Sequence, residues 1–479
     1  MKKFYITTPI YYVNDRPHIG HTYTTLMADV LARWHRLKGE KVFFSTGTDE
    51  HGAKIEEAAK KAGQPPKEFC DEKAETFKTA WQVLNLSYDG FIRTTDVNHE
   101  AAVSQALQTL YDQSFIYKDI YKGLYCVGCE QYKSEDDLID GLCSDHKTKP
   151  VLMKEESYFF RLAKFEKILQ EKIVSDEFAI KPAEKKNEVL AFLSQGLKDI
   201  SISRLNVSWG IPLPFDKKHT IYVWVDAFLN YLTGLDWNGK KIPPDPPLKK
   251  GGAWGGFWPP DLQLMSKDIL RVHATIWPGL LLAFNFPLPQ KLFVHGFFTI
   301  DGQKMSKSLG NIIWPEELVQ KFGVDGARYL LISSLAFGQD GDVSWEKLIE
   351  KYNADLANGL GNLISRVIKL NENLKVRAEK SPQKLQNLDK LFDEAKLKEA
   401  LDAIWMQIAW ANKYIEDQKL WELIKNDKEK GKKVLSEILS LLVEISAAIA
   451  PFMPQTAERI QQTLASGKIE EVLFPRILT

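Results

Sequence analysis

The sequence predicts an α/β chain: a parallel sheet covered by helices, split by an inserted domain and followed by an all-helical end. Three observations carry that prediction. Strand-like and helix-like stretches alternate from Phe4 to about residue 115 in the order β-α-β-α-α-β-α, the pattern that builds a parallel sheet. Between about residues 116 and 220 helical regularity fails, and short strands and turns surround three cysteines and a histidine. From about Trp345 nearly every stretch repeats its apolar residues at helical spacing.

Taken in order, Phe4–Thr8 reads as a buried strand. Ile19, Tyr23, Leu26, Met27, Val30, Leu31, Trp34 and Leu37 then recur at helical spacing, and Gly39 supplies the stop. Lys41–Thr46 is a second strand, Gly52–Lys61 and Pro66–Leu86 are helical, and Phe91–Thr95 is strand-like before a helix from about Asn98. The sheet pattern is expected to resume at Thr220–Val225. Asp236–Asp261, rich in Gly, Pro and Trp, reads as a long surface loop. Leu262–Met265 and Lys267–Phe284 restore strand and helix. Lys291–Ile300 is read as one strand, with a turn at Asp301-Gly302. Helices follow over Pro315–Phe322 and Ala327–Leu335, and Pro454 starts a last one. Gly-x-Gly-x-x-Gly is absent from the first turn, so a dinucleotide fingerprint is not supported.

With 479 residues, 44% hydrophobic and 26% charged, the composition is that of an ordinary soluble chain of two to four domains. Formal net charge is zero, so bulk charge announces no nucleic-acid partner and any basic surface must be local. No apolar run reaches membrane-spanning length, and the N-terminal residues lack the long apolar core of a secretory leader. Four cysteines in so long a chain argue for a reducing, cytoplasmic setting.

Two stretches carry candidate phosphate chemistry. Pro17-His18-Ile19-Gly20-His21 sits where a strand has ended and a helix begins, and helix N-termini suit phosphates. Lys304-Met305-Ser306-Lys307-Ser308 follows the turn at 301–302, and lysines on a polar loop suit a transferring phosphate. Taken singly, a capping or core histidine and a solvated turn are the plain alternatives. Cys126-x2-Cys129 and Cys143-x2-His146 form two chelating pairs thirteen residues apart, a closed tetrahedral set for one structural Zn2+; disulfides or free thiols are the alternative. Cys70 falls outside the set and is read as inert. Asp49 follows a strand end, where it either meets a ligand or caps a helix.

The histidine and lysine stretches, in this order, are the two signatures of class I aminoacyl-tRNA synthetases. Together with TTPIYYVNDRPHIGH, TGTDEHG, YVWVDAFLNYL and the cysteine set, they make the chain resemble the methionyl-tRNA synthetase family from about Phe4 to about Pro454. The resemblance implies a Rossmann-like catalytic domain split by a zinc-binding connective domain, then a helical-bundle anticodon-binding domain. The expected boundaries are 1–115 and 221–300 for the catalytic halves and 116–220 for the insertion. The lysine loop and stem-contact region takes 301–350, and the anticodon domain takes 351–479. It implies methionine activation with ATP and Mg2+, then esterification of tRNA(Met), including the initiator, by a chain for which a monomer is the simplest expectation.

Carried over by residue, the resemblance assigns catalysis to His18, His21, Lys304 and Lys307. Gly20, Ser306 and Ser308 complete the ATP contacts. Ile10, Tyr12, Asp49, Trp224, Ala227, Tyr231, Ile269 and His273 would line the methionine pocket, with Asp49 pairing the ammonium and Tyr12 and His273 facing the sulfur. A flexible, polarizable thioether suits an aromatic lining. Asn362 and Arg366, four apart on one helix face, and Trp421 would read the CAU anticodon; from the residues alone, helix packing explains these three as well. Gln263, Ser266 and Leu420 depart from the family pattern, which commonly has histidine, glycine and proline there. The rivals are a synthetase for another apolar or thiol amino acid, a nucleotidylyltransferase and a non-catalytic RNA-binding paralogue.

Overall fold

The computed structural model describes residues 2–128, 131–133, 138–144, 147–205, 207–240, 256–305, 310–378, 385 and 387–478. Its centre is a six-stranded sheet, all parallel. The strand order is Gly90–Arg93, Lys41–Asp49, Lys3–Tyr12, Leu262–Ser266, Lys291–His295, Ala179–Lys181. Helices cover both faces, so central strands such as Lys41–Asp49 are buried along almost their whole length. The direction of strand progression reverses between Lys3–Tyr12 and Leu262–Ser266, which opens a crevice beyond their carboxyl ends.

Four expectations change. Ala179–Lys181, inside the expected 116–220 insertion, pairs with Lys291–Phe293 as the far edge of the central sheet. Three residues carry too short a pattern to announce a strand. The rest of that span is built on a long antiparallel arm, Ile116–Cys126 against Val151–Phe160. Thr220–Val225 does not rejoin the sheet: Thr220–Ile221 pairs with Ser203–Arg204, and Val223–Phe228 is helical. Lys291–Ile300 is two strands, Lys291–His295 and Phe298–Ile300, in different sheets. The break falls at Gly296, where a Cβ would lie 2.2 Å from the Gln339 carbonyl oxygen. Finally, the described ends of the 236–261 loop are core, with Trp237, Phe257 and Trp258 buried among Trp277, Phe284 and Phe286.

The helical end packs directly on the sheet domain. Helix Ile19–Leu37, the kinked helix Pro315–Ser334 and the helices from Trp345 onward share one apolar core. The kink falls at Gly323, whose φ of +72° suits glycine. Through this core runs Arg328, fully buried. Its guanidinium donates to Asp29 Oδ2 at 2.7 Å and to the carbonyls of Leu84, Pro451 and Phe452. Burial works against a charge on Asp29, but Arg328 and Arg33 outweigh it and hold the carboxyl below its usual range.

Replacing Arg328 with methionine leaves Asp29 charged, buried and short of its strongest partner, which costs about 3–5 kcal/mol. Denaturant unfolding of Arg328→Met should show that loss. In the parent, the Asp29 contribution is full above the unfolded carboxyl value near pH 4 and fades as pH falls through the lower folded value. Arg328→Met should therefore lose the part of acid sensitivity that Asp29 supplies.

Candidate active site

A cavity of about 790 Å3 occupies the crevice where the strand order reverses. Four strand ends reach it: Pro9–Tyr12, Asp49, Ser266 and His295. One extra residue makes this possible. Thr7 pairs with Ser45 but Ile10 with Gly47, so Thr8-Pro9 forms a bulge in the first strand. Pro9 has no N–H to offer the ladder, and the bulge re-aims the residues beyond it. Ile10, Tyr11 and Tyr12 line the cavity as a result.

The helix that starts at Ile19 begins against this cavity. His18 is its N-cap: its Nδ1 accepts the Gly20 N–H at 3.0 Å, and His21 Nδ1 accepts the His18 N–H at 3.2 Å. This pattern assigns the proton of each neutral ring to Nε2. The rings lie 4.1 Å apart. Burial, reinforced by His18, holds the His21 pKa well below its ordinary value, so His21 is a neutral donor. A Cβ on Gly20 would stand 2.8 Å from His18 Cε1, so glycine keeps the histidine in place. The capping role anticipated as the plain alternative for His18 is therefore present together with the cavity position.

All eight residues expected around methionine line the same cavity: Ile10, Tyr12, Asp49, Trp224, Ala227, Tyr231, Ile269 and His273. Trp224 and Ala227 come from the short helix Val223–Phe228, and Ile269 and His273 from the segment after Ser266. Tyr12 and His273, expected to face the sulfur, both line the cavity, and their polar atoms are engaged within the protein. The Tyr12 hydroxyl donates to the His51 carbonyl at 3.0 Å. His273 Nδ1 donates to the Ile269 carbonyl, and Nε2 accepts from the Tyr231 hydroxyl at 2.9 Å. Burial pushes the His273 pKa down to about 4, so the ring presents an uncharged face, edge-on to Phe228. Departures from the family pattern are accommodated locally. Gln263 bridges Thr7 and Trp277, and Ser266 bonds Asp268.

The lysine stretch is reached from Phe298–Ile300 through a tight hairpin. Asp301 and Gly302 both have positive φ, and Lys304 pairs with Thr299. Met305 lines the cavity; Ser306, Lys307 and Ser308 lie outside the described residues. Arg16 stacks on Trp314 at 3.7 Å and the Ile19 N–H donates to the Ile313 carbonyl, tying the histidine segment to residues 313 and 314.

Of the chelating set, Cys126 and Cys143 are buried and Cys129 and His146 lie outside the described residues. Thr148 links the two described members: its carbonyl accepts the Cys143 N–H, and its hydroxyl lies 3.9 Å from Cys126 Sγ. Gly128, inside the first pair, lines the cavity. A separate Glu156, Asp216 and His219 group is bridged by the Lys118 ammonium. Cys70 is buried on the Glu50 carbonyl, and burial pushes its thiol up to about 12, as an inert cysteine requires.

Among the helices, Asn362 and Arg366 share helix Asn362–Asn371, and Arg366 pairs with Glu416 at 2.7 Å. Trp421 is 37% exposed beside the fully buried Leu420. Sequence reasoning missed His295, Lys54 and Gly128 in the cavity wall. His295 ends a central strand, and that position was the available signal. Its Nε2 accepts from Thr24 at 2.6 Å and its Nδ1 donates to the Gly296 carbonyl.

Comparison with known proteins agrees with this geometry. The family model described as class I tRNA synthetases (M) matches residues 4–148 and 129–368, and the anticodon binding domain of methionyl tRNA ligase matches 366–474. A methionine–tRNA ligase of Caldanaerobacter subterraneus subsp. tengcongensis is 42% identical across 99% of this chain and 79% of that protein. One of Thermotoga maritima is 42% identical across 96% of this chain and 74% of that protein. The solved Mycobacterium tuberculosis methionyl-tRNA synthetase in complex with methionyl-adenylate is 35% identical. It covers 99% of this chain and 100% of its own, with a TM-score of 0.89. With a parallel sheet opening at its switch point, a histidine-capped helix at the cavity and a helical end, the chain belongs to the class I methionyl-tRNA synthetase family.

Proposed function

We propose that the cavity activates methionine with ATP and then passes the methionyl group to the 3′-terminal adenosine of tRNA(Met). The observation that carries this reading is one cavity holding both the histidine pair and the carboxylate-and-aromatic set. In the first step a methionine carboxylate oxygen bonds to the α-phosphorus as the bond to the bridging oxygen breaks, and pyrophosphate leaves. The carboxylate is already ionised near pH 7, so no base is needed; positioning and charge stabilisation do the work. In the second step the ribose hydroxyl attacks the activated carbonyl and AMP leaves.

The residues divide accordingly. His18 and His21 donate from Nε2 to the phosphates, and Gly20 leaves room for the nucleotide. Lys304 and Lys307 balance the departing pyrophosphate, with hydrogen bonds from Ser306 and Ser308. Asp49 holds the ammonium, while Ile10, Tyr12, Trp224, Ala227, Tyr231, Ile269 and His273 enclose the side chain. Mg2+ accompanies the triphosphate and shields its charge. Cys126, Cys129, Cys143 and His146 would hold one Zn2+, which fits the two buried thiols brought together by Thr148. Asn362, Arg366 and Trp421 read the anticodon, with Arg366 exchanging its surface partner Glu416 for a base edge. Catalysis then lies in 1–115 and 221–300 and metal binding in 116–220, less the sheet strand at 179–181. Residues 301–350 hold the loop, and 351–479 bind the anticodon. A cytoplasmic monomer completes the reading.

ATP–pyrophosphate exchange run separately with each of the twenty amino acids tests it: exchange should depend on methionine, and dependence on another amino acid would refute the pocket. Asp49→Asn should raise the methionine KM at least tenfold with ATP KM little changed. Lys307→Ala should lower exchange kcat by about 10²–10³-fold, the cost of losing one preorganised donor, with the thermal midpoint unmoved. Elemental analysis of freshly purified protein should find one zinc per chain. Because Gly128 borders the cavity, chelation should depress exchange as well as unfold the arm.

A further inference from the structure

The cavity has two walls from distant parts of the chain, and a buried carboxylate joins them. One wall is the end of strand Lys41–Asp49, carrying Asp49. The other is helix Val223–Phe228, of which Val223, Trp224, Ala227 and Phe228 face the cavity. Asp226 of that helix points away, into the protein, and is fully buried. Its Oδ2 accepts from His51 Nδ1 at 2.6 Å and its Oδ1 from His99 Nε2 at 2.8 Å. His51 is two residues beyond Asp49, and its carbonyl accepts the hydroxyl of Tyr12. His99 is held at its other nitrogen by Thr233, 2.7 Å away.

We propose that Asp226 is a positioning residue for methionine binding: by clamping His51 and His99 it sets the distance between the Asp49 carboxylate and the aromatic wall. The proposal rests on the reading of this cavity as the methionine pocket. Its geometry fits that task. Methionine's ammonium and side chain must be held at once, by elements 175 residues apart, and His51–Asp226 is a direct bond between them. A carboxylate accepts from two N–H donors at once; an amide in its place presents its own N–H to one of them.

Electrostatics support a charged clamp. Burial opposes a charge on His51, but Asp226, with Glu100 at 3.5 Å and Asp49 nearby, raises its pKa to about 10. Asp226 in turn is held ionised against burial by His51 and His99. The facing groups are thus Asp226, Glu100 and Asp49, with the Trp209 ring edge-on at 5.6 Å. His51 stays cationic across neutral pH while the clamp is intact.

The test is exchange kinetics of Asp226→Asn beside Asp49→Asn, with active-site titration to count competent molecules. Asp226→Asn should raise methionine KM about tenfold or more, leave ATP KM and kcat within about threefold, and give methionine KM a pH dependence between 6 and 8 that the parent lacks. An unchanged methionine KM in Asp226→Asn while Asp49→Asn raises it would overturn the clamp alone. No effect in either variant would instead discard the pocket reading. Parallel loss of methionine binding, ATP binding and competent molecules would reduce Asp226 to a purely structural residue and overturn the proposal. Should Asp226→Asn not fold, His99→Leu removes one donor only. A rise of about threefold or more in methionine KM alone supports the clamp, and an unchanged KM overturns it.

Discussion

Everything in this molecule depends on one junction between residues more than 250 apart: Lys3–Tyr12 laid parallel to Leu262–Ser266. Only Ile6 with Leu262 and Thr7 with Gln263 are in register. The junction is reinforced by Asp261, whose carboxylate accepts the Tyr5 N–H at 2.7 Å and whose own N–H returns to the Tyr5 carbonyl. Closing so long a loop is entropically costly, and it is repaid by a sheet buried on both faces. The junction creates the reversal of strand order, and with it the crevice. It also brings the histidine stretch near residue 20 to the lysine stretch near 305, a pairing no local structure supplies.

A second long-range tie fixes the helical end. Arg328 binds Asp29 in the first helix and the carbonyls of Pro451 and Phe452 before the last. A guanidinium with several donors in a fixed plane can satisfy that many acceptors at once; an ammonium cannot match the geometry. The consequence for function is rigidity between two distant surfaces. The helix whose start faces the cavity is the same helix that carries Asp29, so the spacing between the cavity and the face with Asn362 and Arg366 is set through packed core.

Much of this was legible in the sequence because periodicity and turn chemistry are local. The first sheet half, the helix after Gly20, the Asp301-Gly302 turn and the helical end all follow their patterns. What was not legible is non-local. Ala179–Lys181 is a strand because Lys291–Phe293 has an open edge, not because three residues demand it. Trp237 and Trp258 lie among glycines and prolines, the composition of a loop, yet the core takes them in. In the cavity, residue identities came from the family's motifs, while hydrogen-bond assignments did not. The commitments of Tyr12 to His51 and His273 to Tyr231 depend on neighbours that sequence alone does not place. The bulge at Thr8-Pro9 is the instructive case. Its proline was visible, but its effect on the aim of Ile10 and Tyr12 exists only once Ser45–Gly47 lies alongside.

The distribution of charge along the cavity explains how a chain of zero net charge handles a triphosphate and a zwitterion together. Near the helix start two lining histidines are neutral: His21 is kept uncharged by burial, and His295, with a pKa near 4, is too. In the proposed reading the neutral His21 N–H orients a phosphate without binding the ground state so tightly that the product stays, whereas both nitrogens of His295 are engaged within the protein. In the proposed reading, positive charge for the phosphates comes from the lysine stretch, where the Lys304 backbone pairs with Thr299 outside the central sheet. At the other end the order is reversed. A carboxylate, Asp49, faces the cavity, and the cationic His51 stands behind it, locked to Asp226. In the proposed reading this fixed charge meets the amino acid's ammonium before reaction. The proposed assignment of Lys304 and Lys307 to the departing pyrophosphate would put positive charge where negative charge develops, which is where differential stabilisation accelerates the step.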